Sequence, residues 1–445
     1  MLHVDKSVVS NDLVLNYHLM HPGGDSAPGD PNLAYFLDGT YHLHYILRHP
    51  WNGMGTPTAG DGESYSFVHV TSTDMLHWNW QPTKLQPAFT GHGMFSGTGF
   101  ITKEGQAAAI YAGVSEPPHS FISIARDNQL SSWGKPYPVL PTGVPEGKSV
   151  DLLGDPDLFQ SNGFYYAFSD GNNLELCKSS DLVNWSHVGP FLKRQLPDVA
   201  QGEDISCANF FPLGEKWMLL CISHFMGCRY YLGEWDVKTE QFVPEIHGRM
   251  NWRRSHQSLT QPMYRDFFAP ESVLTPDGRR VMWSWLATID PKIELKSVQS
   301  LPRELSLHQD GSLRIDPLRE LESLRYDPIT LNNVILGISS AVPVGHFAET
   351  TGLFHTSQKI IELLGDSYEL RISIDRREAE RKRFGVQLFS GKGNEGLPVL
   401  IMPESSTIRV GETEAPFTLD QLPIEENVDL RIFVDKYLVE VFVNG

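Results

Sequence analysis

The sequence predicts an all-β protein, in which a five-bladed β-propeller is followed by a C-terminal β-sandwich. Strand-like runs rich in aromatic and branched residues recur five times in the first two thirds of the chain, at residues 41–47, 109–114, 164–169, 217–223 and 281–286. Counted from residues 41, 110, 165, 217 and 281, the runs lie 69, 55, 52 and 64 residues apart, with little helical periodicity between them. Short strands repeated at such a period are typical of propeller blades.

The pattern changes after the fifth run and divides the chain into three parts. Residues 1–305 make up the predicted propeller, 306–332 a connector, and 333–445 a second all-β domain, for which a sandwich is the simplest architecture. Strand-like segments of this last part lie at 368–374, 385–389, 430–434 and 438–443, separated by Gly and Pro turns. A chain of 445 residues with 40% hydrophobic content is long enough for two such domains.

Composition and charge exclude several functional classes. The formal net charge of −18 argues against a nucleic-acid surface and against binding to an anionic membrane. The four cysteines are too few for a disulfide framework and lack the spacing of a zinc site. No apolar run approaches the length of a membrane helix, and the first residues lack the pattern of a signal peptide, so a cytoplasmic location is expected.

A repeated motif carries the strongest functional signal. Asp30 lies between Gly and Pro just before the first strand-like run, and Asp155 lies between Gly and Pro just before the third. Two carboxylates therefore occupy equivalent positions in two copies of one structural unit. An Asp before Pro can also do no more than form a turn, which is the structural alternative for both residues.

The residues ahead of the other runs extend this pattern. Ser96 precedes the second run, Asp204 with its neighbour Glu203 precedes the fourth, and Glu271 precedes the fifth. Because the innermost strands of a propeller line one central channel, we expect these side chains to converge on a single funnel.

Crowded carboxylates raise one another's pKa, which leaves two interpretations. The first is cation binding, but no oxygen-rich calcium loop is present in the sequence. The second is glycoside hydrolysis, which needs a carboxylate nucleophile and a protonated carboxyl as general acid. A polar funnel rimmed by Trp and Tyr suits a small carbohydrate, so we favour the second, with no cofactor and no metal.

The motifs also carry a family resemblance. The segments 29–32 (GDPN), 95–97 (FSG), 154–156 (GDP), 268–271 (FAPE), 300–305 (SLPREL) and 439–444 (VEVFVN) resemble, in order, the family motifs NDPN, FSG, RDP, YAPQ, SLPREL and VEVFVN. The chain thus resembles glycoside hydrolase family 32, the invertases, inulinases and levanases, which cleave β-fructofuranosides with a five-bladed propeller and a β-sandwich.

The resemblance implies roles for individual residues. Asp30 would be the nucleophile, and Asp155 would hold sugar hydroxyls and stabilise the oxocarbenium-like transition state. Phe95 and Ser96 would shape the fructose subsite. The complete set of expected substrate-binding residues is Asn32, Phe95, Ser96, Asp204 and Glu271.

The general acid is the main departure from the family pattern. The family motif begins with Glu-Cys-Pro-Asp, and an ungapped alignment on the Cys puts Ser206 at the position of the acid. Strand alternation places Asp204 on the same face as Ser206, whereas Glu203 needs a bulge to turn inward. Glu has the longer reach and is the family's residue type, so Glu203 is the predicted acid and Asp204 the alternative.

Further departures affect sugar contacts. Gly29 replaces the Asn of NDPN, Gly154 replaces the Arg of RDP, and Ile46 replaces an expected Gln. Residues that could supply the missing positive charge are Arg48, Arg229 and Arg265, and residues that could reach the rim are His224 and Arg229. His42 and His44 alternate with apolar residues, which favours strand packing over a metal pair, and His256 receives no assignment.

The predicted function is that of a retaining, exo-acting glycosidase that removes terminal β-fructofuranosyl residues from sucrose or fructan-type oligosaccharides. Two alternatives stay open at this point. One is a related furanosidase or fructosyl-transferring enzyme on the same scaffold, and the other is a carbohydrate-binding protein whose catalysis has been lost. The sequence assigns no oligomeric state and no partner other than a small carbohydrate.

Overall fold

The computed structural model describes most of the chain and consists almost entirely of strands. The described residues are 14–22, 29–49, 64–114, 119–146, 154–252, 266–286, 297–335, 360, 365–379, 383–390, 396–423 and 425–445. Within them, α-helix is confined to two single turns, α1 (Pro87–Thr90) and α2 (Arg376–Ala379). The predicted all-β class is confirmed.

The first two meanders form one eight-stranded sheet. Its strands are β1 (Pro31–Leu37), β2 (Thr40–His49), β3 (Ser64–Ser72), β4 (Asn79–Gln81), β5 (Gly93–Ile101), β6 (Ala107–Val114), β7 (His119–Ile124) and β8 (Tyr137–Pro138). The only registered pair that joins β3 to β5 is Tyr65 with Met94, so β1–β4 and β5–β8 are two antiparallel meanders held together at one point.

Three further sheets follow along the chain. The second contains β9 (Pro141–Thr142), β10 (Asp157–Ser161), β11 (Phe164–Phe168), β12 (Glu175–Ser179) and β13 (Trp185–Pro190). The third contains β14 (Ser206–Leu213), β15 (Lys216–Ser223), β16 (Gly227–Asp236) and β17 (Gln241–Arg249). The fourth contains β18 (Phe268–Leu274), β19 (Arg280–Leu286), β20 (Val298–Gln299), β21 (Arg303–Leu307) and β22 (Leu313–Pro317).

The first strands of these meanders form a closed ring. β1 contacts β5 and β18, β10 contacts β5 and β14, and β14 contacts β18. An apolar cluster fills the space between each meander and the next; Phe67 of β3, for example, packs against Tyr111 of β6. Further clusters join β6 to β11, β11 to β15, β15 to β19, and β19 to β2. The apolar residues of each strand-like run thus form the packed layers between neighbouring sheets.

Four of the five ring strands are interrupted by a bulge near their first residue. The register shifts lie between Pro31 and Leu33 in β1, Met94 and Gly97 in β5, Ser206 and Asn209 in β14, and Phe268 and Pro270 in β18. A bulge releases one residue from the ladder and re-aims its side chain. All four bulges occur at the same end of the ring, which we call the mouth.

The C-terminal residues form two sheets with a shared core. One sheet contains β23 (Ser367–Ile374), β28 (Val428–Asp435) and β29 (Leu438–Val443). The other contains β24 (Phe384–Leu388), β25 (Leu397–Met402), β26 (Thr407–Val410) and β27 (Thr413–Pro416). Val399 and Ile401 of the second sheet belong to the same buried cluster as Leu430 and Ile432 of the first, as in a sandwich of two layers.

The predicted connector contains part of the fourth sheet. β22 pairs with β21 throughout its length, so hydrogen-bonded strand continues to Pro317. A single 3₁₀ segment, Arg319–Leu324, follows.

A buried ionic seam joins the ring to the C-terminal sheets. His18 lies between two carboxylates, with Nδ1 2.9 Å from Asp435 and Nε2 3.1 Å from Glu440. The other oxygen of Glu440 accepts a hydrogen bond from Arg303. Burial alone lowers the pKa of His18, but the hydrogen bonds to both carboxylates outweigh burial, and its pKa is raised.

Three histidines of the first sheet form a buried stack. His69 of β3 stacks on His44 with ring centroids 4.3 Å apart, and its Nε2 lies 2.9 Å from Nδ1 of His42. Desolvation lowers the pKa of His42 to about 4 and that of His69 to about 3. The described residues contain no cluster of His, Cys, Asp or Glu arranged to hold a metal ion. The stack is therefore strand packing between neutral rings.

No helix in the described ranges is long and apolar enough to cross a membrane.

The seam predicts a specific dependence of stability on pH. The raised pKa of His18 means that the folded protein retains a proton that the unfolded chain releases near pH 6.5. Its contribution is fully present below about pH 6.5 and is lost as the pH rises through the raised value. We expect the melting temperature of the wild type to fall more steeply than that of His18→Gln as the pH is raised above about 6.5.

The matched control is His77→Gln, because the His77 side chain is 73% exposed. Its melting curves should follow the wild type at every pH. Parallel pH profiles for wild type and His18→Gln would rule out the proposed linkage.

Candidate active site

The mouth of the ring brings Asp30 and Ser96 together. Asp30 directly precedes β1 and is buried, and Ser96 Oγ in the bulge of β5 lies 3.4 Å from its Oδ2. Asn32, in the bulge of β1, donates from Nδ2 to the carbonyl of Asp30 at 2.5 Å and accepts from Gly97 N at 2.8 Å. These contacts make Asn32 a brace between β1 and β5. Phe95 packs edge-on against Tyr65, with centroids 5.1 Å apart.

Asp155 lies at the same mouth and receives hydrogen bonds from β14. Its Oδ2 accepts from Ser206 Oγ, and also from the backbone N and the thiol of Cys207, each at 3.2 Å. The bulge in β14 makes this possible, because Cys207 adopts a left-handed backbone with φ of 45°. Ser206, the residue at the family's acid position, therefore serves as a hydrogen-bond donor to Asp155.

The Cys207 thiol connects the carboxylates electrostatically. Burial raises its pKa well above the usual value, and the negative charges of Asp155, Asp30 and Asp170 raise it further. The negative charges of all three carboxylates therefore affect the same thiol. The thiol stays protonated and serves as a neutral donor rather than a nucleophile.

Glu203 is buried in an ion pair with two arginines. Arg249 donates to both of its carboxylate oxygens, at 2.5 and 3.0 Å, and Arg229 Nη1 lies 3.0 Å from Oε1. Burial opposes ionisation of Glu203, but the Arg249 hydrogen bonds and the Arg229 charge outweigh it, so the pKa is lowered. A carboxylate held in this way is poorly suited to donate a proton, which argues against the predicted role of Glu203 as general acid.

Asp204 is paired with His224. Its Oδ2 lies 2.5 Å from His224 Nδ1, and its Oδ1 accepts from Ser223 Oγ at 3.0 Å. Burial alone would raise the pKa of Asp204, but the His224 hydrogen bond and charge lower it overall. Asp204 is thus also stabilised as a carboxylate.

Asp170 is a site residue that the sequence analysis missed. It follows β11, and Ser169 Oγ donates to its Oδ1 at 3.2 Å and accepts from Gly154 N at 3.1 Å. Burial and the charge of Asp155 raise its pKa, with a smaller contribution from Asp204. The Ser-Asp-Gly sequence reads as an ordinary turn, and the only signal that could have marked it is the missing Arg at Gly154.

The two glycines that depart from the family motifs each make room for a polar side chain. A Cβ on Gly154 would lie 1.6 Å from Oδ1 of Asp170, and one on Gly29 would lie 2.0 Å from Oγ of Ser297. Both distances are far below van der Waals contact, so each glycine is required by its neighbour.

The remaining residues proposed from the sequence have other positions. Ile46 is fully buried in the apolar cluster between the first two meanders. Arg229 contacts Glu203 and donates to the carbonyl of Asp204. The side chain of Arg48 and the whole of Arg265 and His256 lie outside the described residues.

Glu271 lies in a deeper polar layer of the ring. Its Oε2 accepts from Thr98 Oγ1 at 2.9 Å, two residues beyond Ser96 on β5, and its Oε1 accepts from Ser272 N at 2.9 Å. Desolvation raises its pKa well above the usual value. Asp157 occupies the same layer, where burial raises its pKa to about 7 and Phe210 N donates to it at 2.7 Å.

The ion pair of Glu203 yields a prediction about stability. Glu203→Gln would leave the fully buried Arg229 without its carboxylate, and breaking a buried pair costs about 3–5 kcal/mol of unfolding free energy. We expect a loss of this order in urea unfolding, with little change for Glu234→Gln, whose parent side chain is 67% exposed. A fully stable Glu203→Gln protein that fails only on substrates with poor leaving groups would instead restore Glu203 as the acid.

The deeper layer yields a second prediction. Burial raises the pKa of Glu271 well above its usual range and so favours the protonated carboxyl, which is a close analogue of the Gln found in the family motif. Glu271→Gln should therefore retain the melting temperature and the activity of the wild type, whereas Glu271→Ala should lose both with its Thr98 bond. Equal losses in the two variants would show that the charge itself is needed.

Comparison with known proteins gives consistent results. Residues 26–317 match the model of the glycosyl hydrolases family 32 N-terminal domain, and residues 339–445 match that of the family's C-terminal domain. The chain is 26% identical to a sucrose-6-phosphate hydrolase of Vibrio alginolyticus, over 94% of this chain and 81% of the relative. It is 26% identical to a raffinose invertase of Escherichia coli, over 96% of this chain and 86% of the relative.

A solved structure shares the fold. The fructan 1-exohydrolase IIa of Cichorium intybus superposes with a TM-score of 0.74 at 19% sequence identity, covering 98% of this chain and 90% of that one. Because the two family models together span most of the sequence, the chain belongs to glycosyl hydrolase family 32.

Proposed function

We propose that the protein is a retaining β-fructofuranosidase that removes terminal fructosyl residues from sucrose, a phosphorylated sucrose or short fructans. The observation that carries the proposal is the position of Asp30 and Asp155 at the starts of β1 and β10, the ring strands on either side of β5. Asp30 is bonded by Ser96 of the β5 bulge, and Asp155 by Ser206 and Cys207 of the β14 bulge. Retaining glycoside hydrolysis requires a carboxylate nucleophile and a carboxyl acid at one site, and the mouth brings carboxyl groups from separate ring strands together.

In this proposal Asp30 is the nucleophile. One of its oxygens forms a bond to the anomeric carbon while the bond to the leaving oxygen breaks, and water later displaces the carboxylate. Ser96 and Asn32 hold the carboxylate and its backbone in place, which limits the reorganisation needed for attack.

Asp155 is proposed to stabilise the positive charge that develops on the sugar ring. Its Oδ2 accepts hydrogen bonds from Ser206 and Cys207, which hold the carboxylate in a fixed orientation.

Both the relatives and the residues at the mouth support a substrate with a terminal fructosyl unit. The relatives are named for sucrose 6-phosphate and raffinose, and one structural neighbour for a fructan, and these share a terminal fructosyl unit. Phe95 and Tyr65 form an aromatic edge beside Ser96 on which an apolar sugar face can stack. We propose this edge as one wall of the fructose subsite.

We also propose that the four N-terminal sheets represent five blades. The meanders β1–β4 and β5–β8 each have the four-strand form of a blade and share only the Tyr65–Met94 pair. The closed ring of five first strands supports this count. Hydrogen-bonded strand that continues to Pro317 supports a first-domain boundary there rather than at residue 305.

A binding protein without catalysis is the second candidate, favoured by Ser206 at the position of the family's acid. Release of fructose separates the two. We expect the wild type to release free fructose from at least one of sucrose, sucrose 6-phosphate, inulin and levan. Asp30→Ala should reduce release to background, and Asp155→Asn should reduce it strongly.

Asp38→Asn, in the exposed turn between β1 and β2, is the matched control and should keep wild-type activity. Binding of these sugars by calorimetry without release of fructose by the wild type would establish the non-catalytic alternative. Appearance of longer fructosyl oligosaccharides in place of free fructose would establish a transferase.

A further inference from the structure

The proposed function leaves the proton donor unassigned. The hydroxyl of Ser206 cannot donate a proton at neutral pH and is already bonded to Asp155. Glu203 is bound to two guanidinium groups, and Asp204 is paired with His224. The acid must therefore come from another group at the mouth.

Asp170 has the required position. Its carboxylate occupies the space that a Cβ on Gly154 would need, and Gly154 is the residue directly before Asp155. Its backbone is tied to the segment that carries the other candidates, because Gly171 N donates to Ile205 O at 2.9 Å and Ile205 N donates to Gly171 O at 3.0 Å. Ile205 lies between Asp204 and Ser206, so Asp170 flanks the place that the family's acid would fill.

The turn that follows Asp170 has a restricted backbone conformation. Gly171 has φ of 131°, a conformation that side chains other than hydrogen rarely adopt. The turn and the bridge to Ile205 hold the Asp170 backbone at the mouth.

The surroundings of Asp170 also differ from those of its rivals. Glu203 has two arginines and Asp204 has a histidine as direct partner. Within the part of the chain that the structure describes, Asp170 receives only the neutral Ser169 hydroxyl, and it faces the negative charge of Asp155. Burial and that charge favour its protonated form, with His224 opposing them weakly. A carboxyl whose surroundings favour the protonated form, next to a second carboxyl group, matches the needs of a general acid.

We propose that Asp170 is the general acid and base of this enzyme, in the place of the glutamate that other family members carry at the position of Ser206. This inference rests on the proposed glycosidase function.

The proposed step conserves protons and electrons. The Asp170 carboxyl gives its proton to the glycosidic oxygen as the bond between that oxygen and the anomeric carbon breaks, with the electron pair staying on the oxygen. Asp30 bonds to the anomeric carbon at the same time. In the second half, the Asp170 carboxylate takes a proton from water, the water oxygen bonds to the anomeric carbon, and Asp30 is released as a carboxylate.

The test compares leaving groups that need protonation with one that does not. Wild type, Asp170→Asn, Asp204→Asn and Glu203→Gln are assayed on the best natural substrate and on β-fructofuranosyl fluoride. Removal of a general acid costs about 10²–10⁴-fold in rate, and we expect Asp170→Asn to lose that much on the natural substrate. With the fluoride it should show a burst at the wild-type rate followed by slow turnover, and added azide should restore turnover.

A second variant tests the position without altering the carboxyl. Gly154→Ala places a methyl group where the Asp170 carboxylate lies, so the carboxylate must move away. The same selective loss on the natural substrate should follow, together with a displaced basic limb of the pH–rate profile.

The outcomes are distinct. Equal losses on both substrates would reduce Asp170 to a binding or structural residue, and wild-type behaviour of Asp170→Asn would remove it from the mechanism. The burst-and-rescue pattern in Asp204→Asn instead would transfer the role to Asp204. A wild type that is inactive on every fructosyl substrate, including the fluoride, would overturn the proposed function itself, and the role of Asp170 with it.

Discussion

Repulsion between like charges is the constraint on which the architecture of the mouth depends. The ring of first strands brings carboxylates from separate sheets into one space, and each must be stabilised before the ring can close. Asp155 accepts hydrogen bonds from β14, Glu203 is paired with Arg229 and Arg249, and Asp204 is paired with His224. Asp170 has no cation as a direct hydrogen-bond partner among the described residues, and burial and the charge of Asp155 raise its pKa. The four carboxyl groups thus have different partners, and we infer different roles for them from this difference.

The departures from the family motifs are coupled to second changes. Gly154 comes with Asp170, which fills the space that its missing side chain leaves, and Gly29 comes with Ser297 in the same relation. Glu271 stands where the family has Gln, and burial raises its pKa and so favours the neutral form that resembles an amide. A site that had merely decayed would leave cavities or unpaired charge at such places, at a cost of several kcal/mol each. The coupled changes are more consistent with a site adapted to keep its shape and charge.

The fold class could be predicted from the sequence, because periodic strand runs and Gly-Asp-Pro motifs are local signals. The same motifs pointed to Asp30 and Asp155, which the structure places at the mouth. The partners of Glu203 could not be predicted, because Arg229 and Arg249 lie on later strands that no local pattern relates to it. Asp170 lay in an unremarkable turn, and only the three-dimensional approach to Gly154 identifies it. The roles of the site residues stay predictions.

The C-terminal sheets have a physical connection to Asp30, the proposed nucleophile. Glu440 of β29 accepts a hydrogen bond from Leu301 N at 2.8 Å. Only Ser300 lies between Leu301 and the end of β20. Gln299 of β20 then donates to the carbonyl of Gly29 at 2.6 Å, directly before Asp30. A short chain of buried contacts therefore runs from the ionic seam around Glu440 to the backbone of the nucleophile. Packed cores shift between discrete arrangements rather than deforming smoothly. We therefore expect disruption of the seam to displace the attacking oxygen of Asp30. The C-terminal sheets thus act as a support for the catalytic mouth, in addition to completing the fold.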